Sequence, residues 1–262
     1  MILTELWRFP VKSLRGARCA RLAVDARGGR HDRRWMLVDR QGRFLTQREL
    51  PRMALLNTAL HGAALSLWLD GEAPRPVACP ADAAELPVRV WHDTCLARAV
   101  DPAVDAWLSD FLQRDCRLVY LPDDAVRQVD PAYARPGDQV GFADGFPFLL
   151  ISQASLDDLN ARLDCPVPMQ RFRPNLVVDG CAPYAEDQWR RIRIGELEFR
   201  VAKPCSRCII PTIDPRTAER ASEPLRTLSR YRRRDNKVWF GQNLLHDGPG
   251  KLAEGMPVEV LE

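Results

Sequence analysis

From Met1 to about Val100 no apolar run lasts long before turn residues interrupt it, and this limits the fold more than any other feature. The segments ILTELWRF, ARLAVDA, RWMLVDRQGRFLTQ, ALLNTALHGAALSLWL and VRVWHDT alternate apolar and polar residues over strand lengths. Side chains of an extended chain point to opposite faces in turn, so each segment predicts a half-buried strand or hairpin. Asp39-Arg40-Gln41-Gly42 and Asp70-Gly71 supply turns. So many short strands close most economically into a small barrel or sandwich.

The pattern changes near Asp101. In DPAVDAWLSDFLQ, Asp101 predicts an N-cap and Pro102 the first helical position, with Val104, Trp107, Leu108, Phe111 and Leu112 on one face. A second helix is expected from Ser152 to about Leu163 on the stripe Leu156, Leu159 and Leu163. Ser222-Glu223-Pro224 predicts a third, a polar cap followed by Pro224 at the first helical position, reaching about Tyr231. CRLVYLP, FRPNLVVDG, WRRIRIGELEFRVAK and MPVEVLE predict strands, and Asp123 to Gly145 a long loop of the kind that often carries function. The expected fold is mainly β with some α, an α+β chain with a β-barrel over residues 1–100 and a strand-rich part with peripheral helices over 101–262.

A chain of 262 residues can bury a core without covalent staples. Its eight cysteines, at 19, 79, 95, 116, 165, 181, 205 and 208, are too scattered for a disulfide scaffold. No signal sequence precedes the first strand, and no apolar run approaches the roughly 18–20 residues that cross a bilayer. A soluble protein of the reducing cytoplasm is the expectation. A net charge of +3 from intermixed basic and acidic residues gives no reason to propose nucleic acid as a partner. Lysine is scarce in this arginine-rich chain, which draws attention to Lys12 and Lys203.

The chemically suggestive stretch is Lys203 to Asp214, KPCSRCIIPTID. Two cysteines flank Ser206 and Arg207, and a guanidinium beside a thiol favours the thiolate, which is a nucleophile and a soft metal ligand. Two buried structural thiols are the bland alternative. A structural zinc site would need further cysteine or histidine ligands at close spacing, and the sequence has no second pair. A thioredoxin-type dithiol needs a helix to follow, whereas IIPTID is β-branched and holds Pro211.

FPVKS (Phe9 to Ser13), DRRW (Asp32 to Trp35), FPFLLISQASLDDLN (Phe146 to Asn160), FRPN (Phe172 to Asn175), YAEDQW (Tyr184 to Trp189), CSRCIIPTIDPRT (Cys205 to Thr217), EPLRTLSRYR (Glu223 to Arg232) and FGQN (Phe240 to Asn243) occur in this order. Together they resemble the MOSC proteins with an N-terminal β-barrel, a family typified by the amidoxime-reducing components and by bacterial proteins that detoxify N-hydroxylated bases. The specificity lies in eight segments in register.

The resemblance implies a molybdenum–molybdopterin cofactor, with Cys208 as the metal ligand and Cys205 as a packed neighbour; pyridoxal phosphate is not expected. It places Lys12, Ser13 and Arg33 at the cofactor phosphate, Arg173 and Asn175 at the pterin, and Ser206 and Arg207 in the loop beside the metal. Asp144 matches an acidic position near the metal, for proton delivery or cofactor positioning. An extended Arg173-Pro174-Asn175 segment would point both polar side chains one way. Arg34 is expected at the surface. The implied reaction is reduction of hydroxylamines, amidoximes or N-hydroxylated nucleobases. Neither a membrane anchor before the barrel nor a ferredoxin domain after FGQN is expected, so electrons are expected from a separate flavin reductase, ferredoxin or cytochrome. The same cysteine would serve a sulfur carrier holding a Cys208 persulfide, and Arg230 to Arg234 would serve a non-catalytic binding module.

Overall fold

The computed structural model describes residues 1–78 and 83–262, leaving Cys79 outside the described residues. Strands dominate, as the alternation predicts. Among the described residues the largest sheet has nine strands. In spatial order its main path runs Val258–Val260, Arg191–Ile194, Leu197–Ser206, Lys237–His246, Phe148–Ser152, Leu176–Asp179, Ile2–Arg8 and Ala17–Arg18. Phe148–Ser152 and Leu176–Asp179 pair in parallel, joined by a crossover that holds a helix, while the neighbouring pairs are antiparallel. A four-stranded sheet runs Trp35–Val38, Arg117–Tyr120, Asp93–Ala99 and Glu85–Val90, and two three-stranded sheets complete the set.

Both halves of the chain contribute to shared sheets. Ile2–Arg8 pairs with Leu176–Asp179, and Arg21–Asp25 pairs with Gly250–Ala253. One core lies against the large sheet around Leu3, Leu6, Phe148, Leu176, Ile192 and Phe199, all at most 1% exposed. A second gathers Val11, Trp35, Leu37, Leu65 and Leu67 with the helix face Val104, Leu108 and Leu112. Close packing around such side chains resists any change of volume.

The helix Pro102–Leu112 starts as its sequence predicts, with the Asp101 carboxylate accepting from Ala103 N at 2.9 Å. Ser152 caps Gln153–Asn160 through Ser155 N, and single-turn bonds carry the chain on to Leu163. The third helix differs from expectation. It spans Leu225–Tyr231 with Pro224 at the N-cap instead of the first helical position, and the Glu223 carboxylate accepts from Thr227 N at 3.1 Å. Glu223 reaches a free helical N–H that the shorter serine, one residue earlier, does not.

FRPN departs further from the extended reading. Met169–Phe172 forms a 3-10 turn that ends on Arg173 in the left-handed region, and the strand begins only at Leu176. Arg34 is not at the surface either. It is 2% exposed, donating to the Leu121 carbonyl and pairing with Asp123. An arginine inside a β-rich shell can satisfy its fork from backbone carbonyls, which the sequence does not reveal. Of Arg230 to Arg234, Arg232 turns inward to Asp187 and to the Trp239 carbonyl.

Two glycines make close approaches possible. Gly241 has φ +82°, and a Cβ there would stand 2.6 Å from Ile151 Cγ1 and 2.9 Å from Leu150 O. Gly241→Ala is therefore expected to cost about 3 kcal/mol in chemical denaturation, combining left-handed strain with overpacking. At Gly141 a Cβ would meet the Arg33 carbonyl at 2.8 Å. Glycine lets the long loop lie against Asp32 and Arg33, with Phe142 N donating to Arg33 O at 2.6 Å. Buried Arg127 fastens the same loop through the Gly141 and Ala143 carbonyls and Asp93. The loop thereby delivers Asp144 to Lys12. No helix among the described residues is long and apolar enough to cross a membrane.

Candidate functional site

All nine residues singled out by the sequence line one cleft, of about 150 Å³, where the two halves of the chain meet. Lys12 and Ser13 enter behind the first strand, Arg33 from the turn before Trp35–Val38, and Asp144 from the long loop. Arg173 and Asn175 follow the 3-10 turn, while Ser206 ends the strand Leu197–Ser206 and hands the chain to Arg207 and Cys208. Ser13, Arg33 and Arg173 have φ of 66°, 46° and 58°. Left-handed backbone at non-glycine residues costs about 1–3 kcal/mol each and tends to gather where side-chain placement matters.

Lys12 is buried, donating to the Phe142 carbonyl at 2.8 Å and pairing with the Asp144 carboxylate. Burial pushes the Lys12 ammonium down to about 8, against the opposing pull of Asp144. Burial alone would raise the Asp144 carboxyl, but Lys12 and Arg48 outweigh it and hold it well below the usual carboxylate range. Arg33 pairs with Asp32 and donates to Asn175 Oδ1 at 3.0 Å and to the Arg173 carbonyl at 3.1 Å. The Arg33 and Arg173 guanidinium carbons each stand 4.3 Å from the Phe9 ring centroid.

Arg173 and Arg207 have no carboxylate within ion-pair distance among the described residues. Arg173 donates to the Leu14 carbonyl, and Arg207 to Cys205 Sγ at 3.2 Å and the Phe172 carbonyl at 2.7 Å. Burial, then the neighbouring Arg33, pull the Arg173 guanidinium below its ordinary value. Arg207 Nε is buried without a hydrogen-bond partner among the described residues. The cleft thus sets Lys12, Arg33, Arg48, Arg173 and Arg207 against the carboxylates Asp32 and Asp144. Such an excess of positive charge in a partly enclosed cleft favours a bound anion.

The geometry also refines the expected roles. The Asn175 amide is engaged on both sides, accepting from Arg33 and from Leu149 N at 3.3 Å and donating to the Trp7 carbonyl at 3.2 Å. Its direct effect is to position Arg33. Cys205 is half-buried, lines the cleft and accepts from Arg207, so it does more than pack. Arg48, absent from the sequence reading, donates to Cys208 Sγ and to Asp144 Oδ2, each at 3.5 Å. It lies in TQREL, with no motif to mark it, and only the closure of the barrel onto the C-terminal sheet reveals it. Asn243 of FGQN donates to the Lys203 and Pro204 carbonyls, holding the irregular stretch of strand that leads to the cysteines.

Residues 1–115 match the MOSC N-terminal beta barrel domain, and residues 137–259 match the MOSC domain. The chain is 35% identical to mitochondrial amidoxime-reducing component 1 of Homo sapiens over 280 residues, covering 99% of this chain and 82% of that protein. The chain belongs to the MOSC family. A zebrafish (Danio rerio) amidoxime-reducing component 1 is 34% identical over 98% of this MOSC chain and 84% of its own length. The molybdenum cofactor sulfurase of Oryza sativa subsp. japonica is 31% identical over 89% of the MOSC chain, which spans 31% of that larger protein. The strand-rich α+β fold is that of a MOSC protein.

A charged Lys12 is expected to strengthen anion binding in this cleft. The folded value of about 8 lies below the 10.5 of an unperturbed lysine, so the folded protein releases this proton first as pH rises. Lys12 therefore adds stability as pH rises from about 8 towards 10.5, while its hold on an anion weakens over the same range. Calorimetric titration of the cofactor-free protein with sulfate, whose charge is constant there, is expected to show affinity falling as pH passes 8. Lys12→Met should remove that dependence; an unchanged pH profile in the variant would count against Lys12 as the titrating group.

Proposed function

We propose that this protein is a molybdenum-cofactor-dependent oxidoreductase that reduces N-hydroxylated compounds to amines or amidines. One observation carries the reading: Cys208 Sγ opens onto a cleft lined by more cations than carboxylates, in a chain related to amidoxime-reducing components. A molybdopterin has both chemistries that this cleft would satisfy, a phosphate for the cations and a soft metal for the thiolate. Arg207 and Arg173, neither paired with a carboxylate among the described residues, support a bound anion there. When bound, the cofactor supplies two-electron redox chemistry at molybdenum.

The chain's own groups do the rest. Cys208 anchors the metal, and Lys12, Ser13, Arg33, Arg173, Ser206 and Arg207 hold the pterin and its phosphate, with Asn175 keeping Arg33 in place. Asp144, held ionised by Lys12 and Arg48, keeps those two cations in place at the cleft edge beside Cys208. In balance, the N–O bond breaks, two electrons and two protons enter, and amine or amidine and water leave. The electrons come from a separate redox protein of flavin reductase, ferredoxin or cytochrome type.

The test is reduction of benzamidoxime by protein purified from a molybdopterin-making host, with a reduced viologen dye as donor. Benzamidine formation is expected. A second reading, a sulfur carrier, draws on the sulfurase relative and the open Cys208. Intact-mass analysis decides between them: an extra sulfur atom on Cys208 in metal-free, inactive protein would establish the carrier.

A further inference from the structure

Trp91 is placed with unusual effort for a residue outside the cofactor cleft. It is the first of two residues linking the strands Glu85–Val90 and Asp93–Ala99, and its φ is 57°. Glycine, asparagine or aspartate ordinarily occupies such a position, because a bulky side chain is strained there. Even so the chain puts its largest side chain at this turn and leaves 44% of it exposed.

The contacts show where the indole is aimed. Trp91 Nε1 donates to Asp144 Oδ1 at 3.3 Å, and the Arg48 guanidinium carbon stands 4.7 Å from the Trp91 ring centroid. Arg48 in turn reaches Cys208 Sγ, so two contacts connect the indole to the thiol. Phe44 meets Trp91 with ring centroids 5.1 Å apart, at an angle of 57°. The two rings also line a hollow of about 340 Å³, shared with Asp39, Arg43, Glu49, Arg89 and Arg114, within the size range of small-molecule sites. Ile209, adjacent to Cys208 in the chain, adds another exposed apolar side chain at 42%.

A molecule whose N–O group reaches the Cys208 end of the cleft must leave its body outside, where an indole and a phenyl ring meet it. We propose that Trp91, supported by Phe44, is the specificity-determining wall of the substrate site and selects flat, conjugated N-hydroxylated compounds over small non-aromatic ones. This rests on the reductase reading above. Aromatic faces stack on flat π-systems and gain little from a small polar molecule. The strain of the turn is the cost of holding that face beside Asp144.

The experiment compares benzamidoxime with N-hydroxyurea in wild type, Trp91→Gly and Trp91→Phe, each purified with cofactor. Glycine suits the turn, so Trp91→Gly should leave Tm close to wild type. Its KM for benzamidoxime is expected to rise about tenfold more than its KM for N-hydroxyurea, so that the ratio of the two kcat/KM values falls about tenfold. Trp91→Phe keeps an aromatic face and should recover most of the selectivity despite losing the bond to Asp144. Equal KM changes on both substrates, or a loss of kcat on both, would overturn the proposal and leave Trp91 as a support for Asp144. Fluorescence titration with benzamidine gives a readout independent of turnover: quenching is expected in wild type and its loss in Trp91→Gly. If the wild type reduces neither compound, the reductase reading fails, and the titration alone then decides whether Trp91 forms an aromatic binding wall.

Discussion

Cys208→Ser is expected to lower amidoxime reduction by roughly a thousandfold or more, equivalent to at least about 4 kcal/mol of transition-state stabilisation. The two side chains have nearly the same shape, so packing at the strand end changes little. What changes is the donor. A serine hydroxyl is hard and protonated at neutral pH, whereas a thiolate suits a soft metal. Arg48 Nη1, now 3.5 Å from the sulfur, would face a hydroxyl instead. An unaltered thermal transition together with lost turnover separates this chemical effect from unfolding. Cys205→Ser is a useful contrast, because Cys205 contacts Arg207 and is not the proposed ligand.

The largest expected loss of stability is at Phe199. It is fully buried, packed edge to face on Phe148 with centroids 5.4 Å apart, inside the core of the large sheet. Phe199→Ala is expected to cost about 3–5 kcal/mol, through lost transfer energy and the cavity left behind. For a chain of this length that lowers Tm by roughly 10 °C. Phe199 also lies on the strand Leu197–Ser206, which ends beside Arg207 and Cys208. Anion affinity at the cleft should therefore survive at 25 °C and disappear at a lower temperature than in wild type. Differential scanning calorimetry with and without sulfate measures both effects.

The sequence makes the strands and the residues that gather in the cleft legible for one physical reason: both are written in local patterns. Alternation marks the hairpins, Asp101 and Pro102 mark a helix start, and short motifs carry the nine residues that the fold brings into one cleft. What stays hidden depends on partners distant in the chain. Arg48 and Trp91 gain their meaning from Asp144 and Cys208, far away in sequence. Arg34 resembles a surface arginine until the Leu121 carbonyl is seen to receive it. Arg173 reads as extended beside Pro174, but the preceding 3-10 turn ends on it, and its positive φ is what turns its side chain towards Leu14 and Phe9. Asn175 looks like a pterin contact, and its neighbours show a residue that holds Arg33.

The central claim is that Cys208 and the cations around it hold a molybdenum cofactor. Elemental analysis of wild type and Cys208→Ser, both purified from a molybdopterin-making host, tests it most directly. Stoichiometric molybdenum in the wild type and its absence from the variant is the predicted result. Wild-type protein without molybdenum, or a variant that retains as much as the wild type, would contradict it.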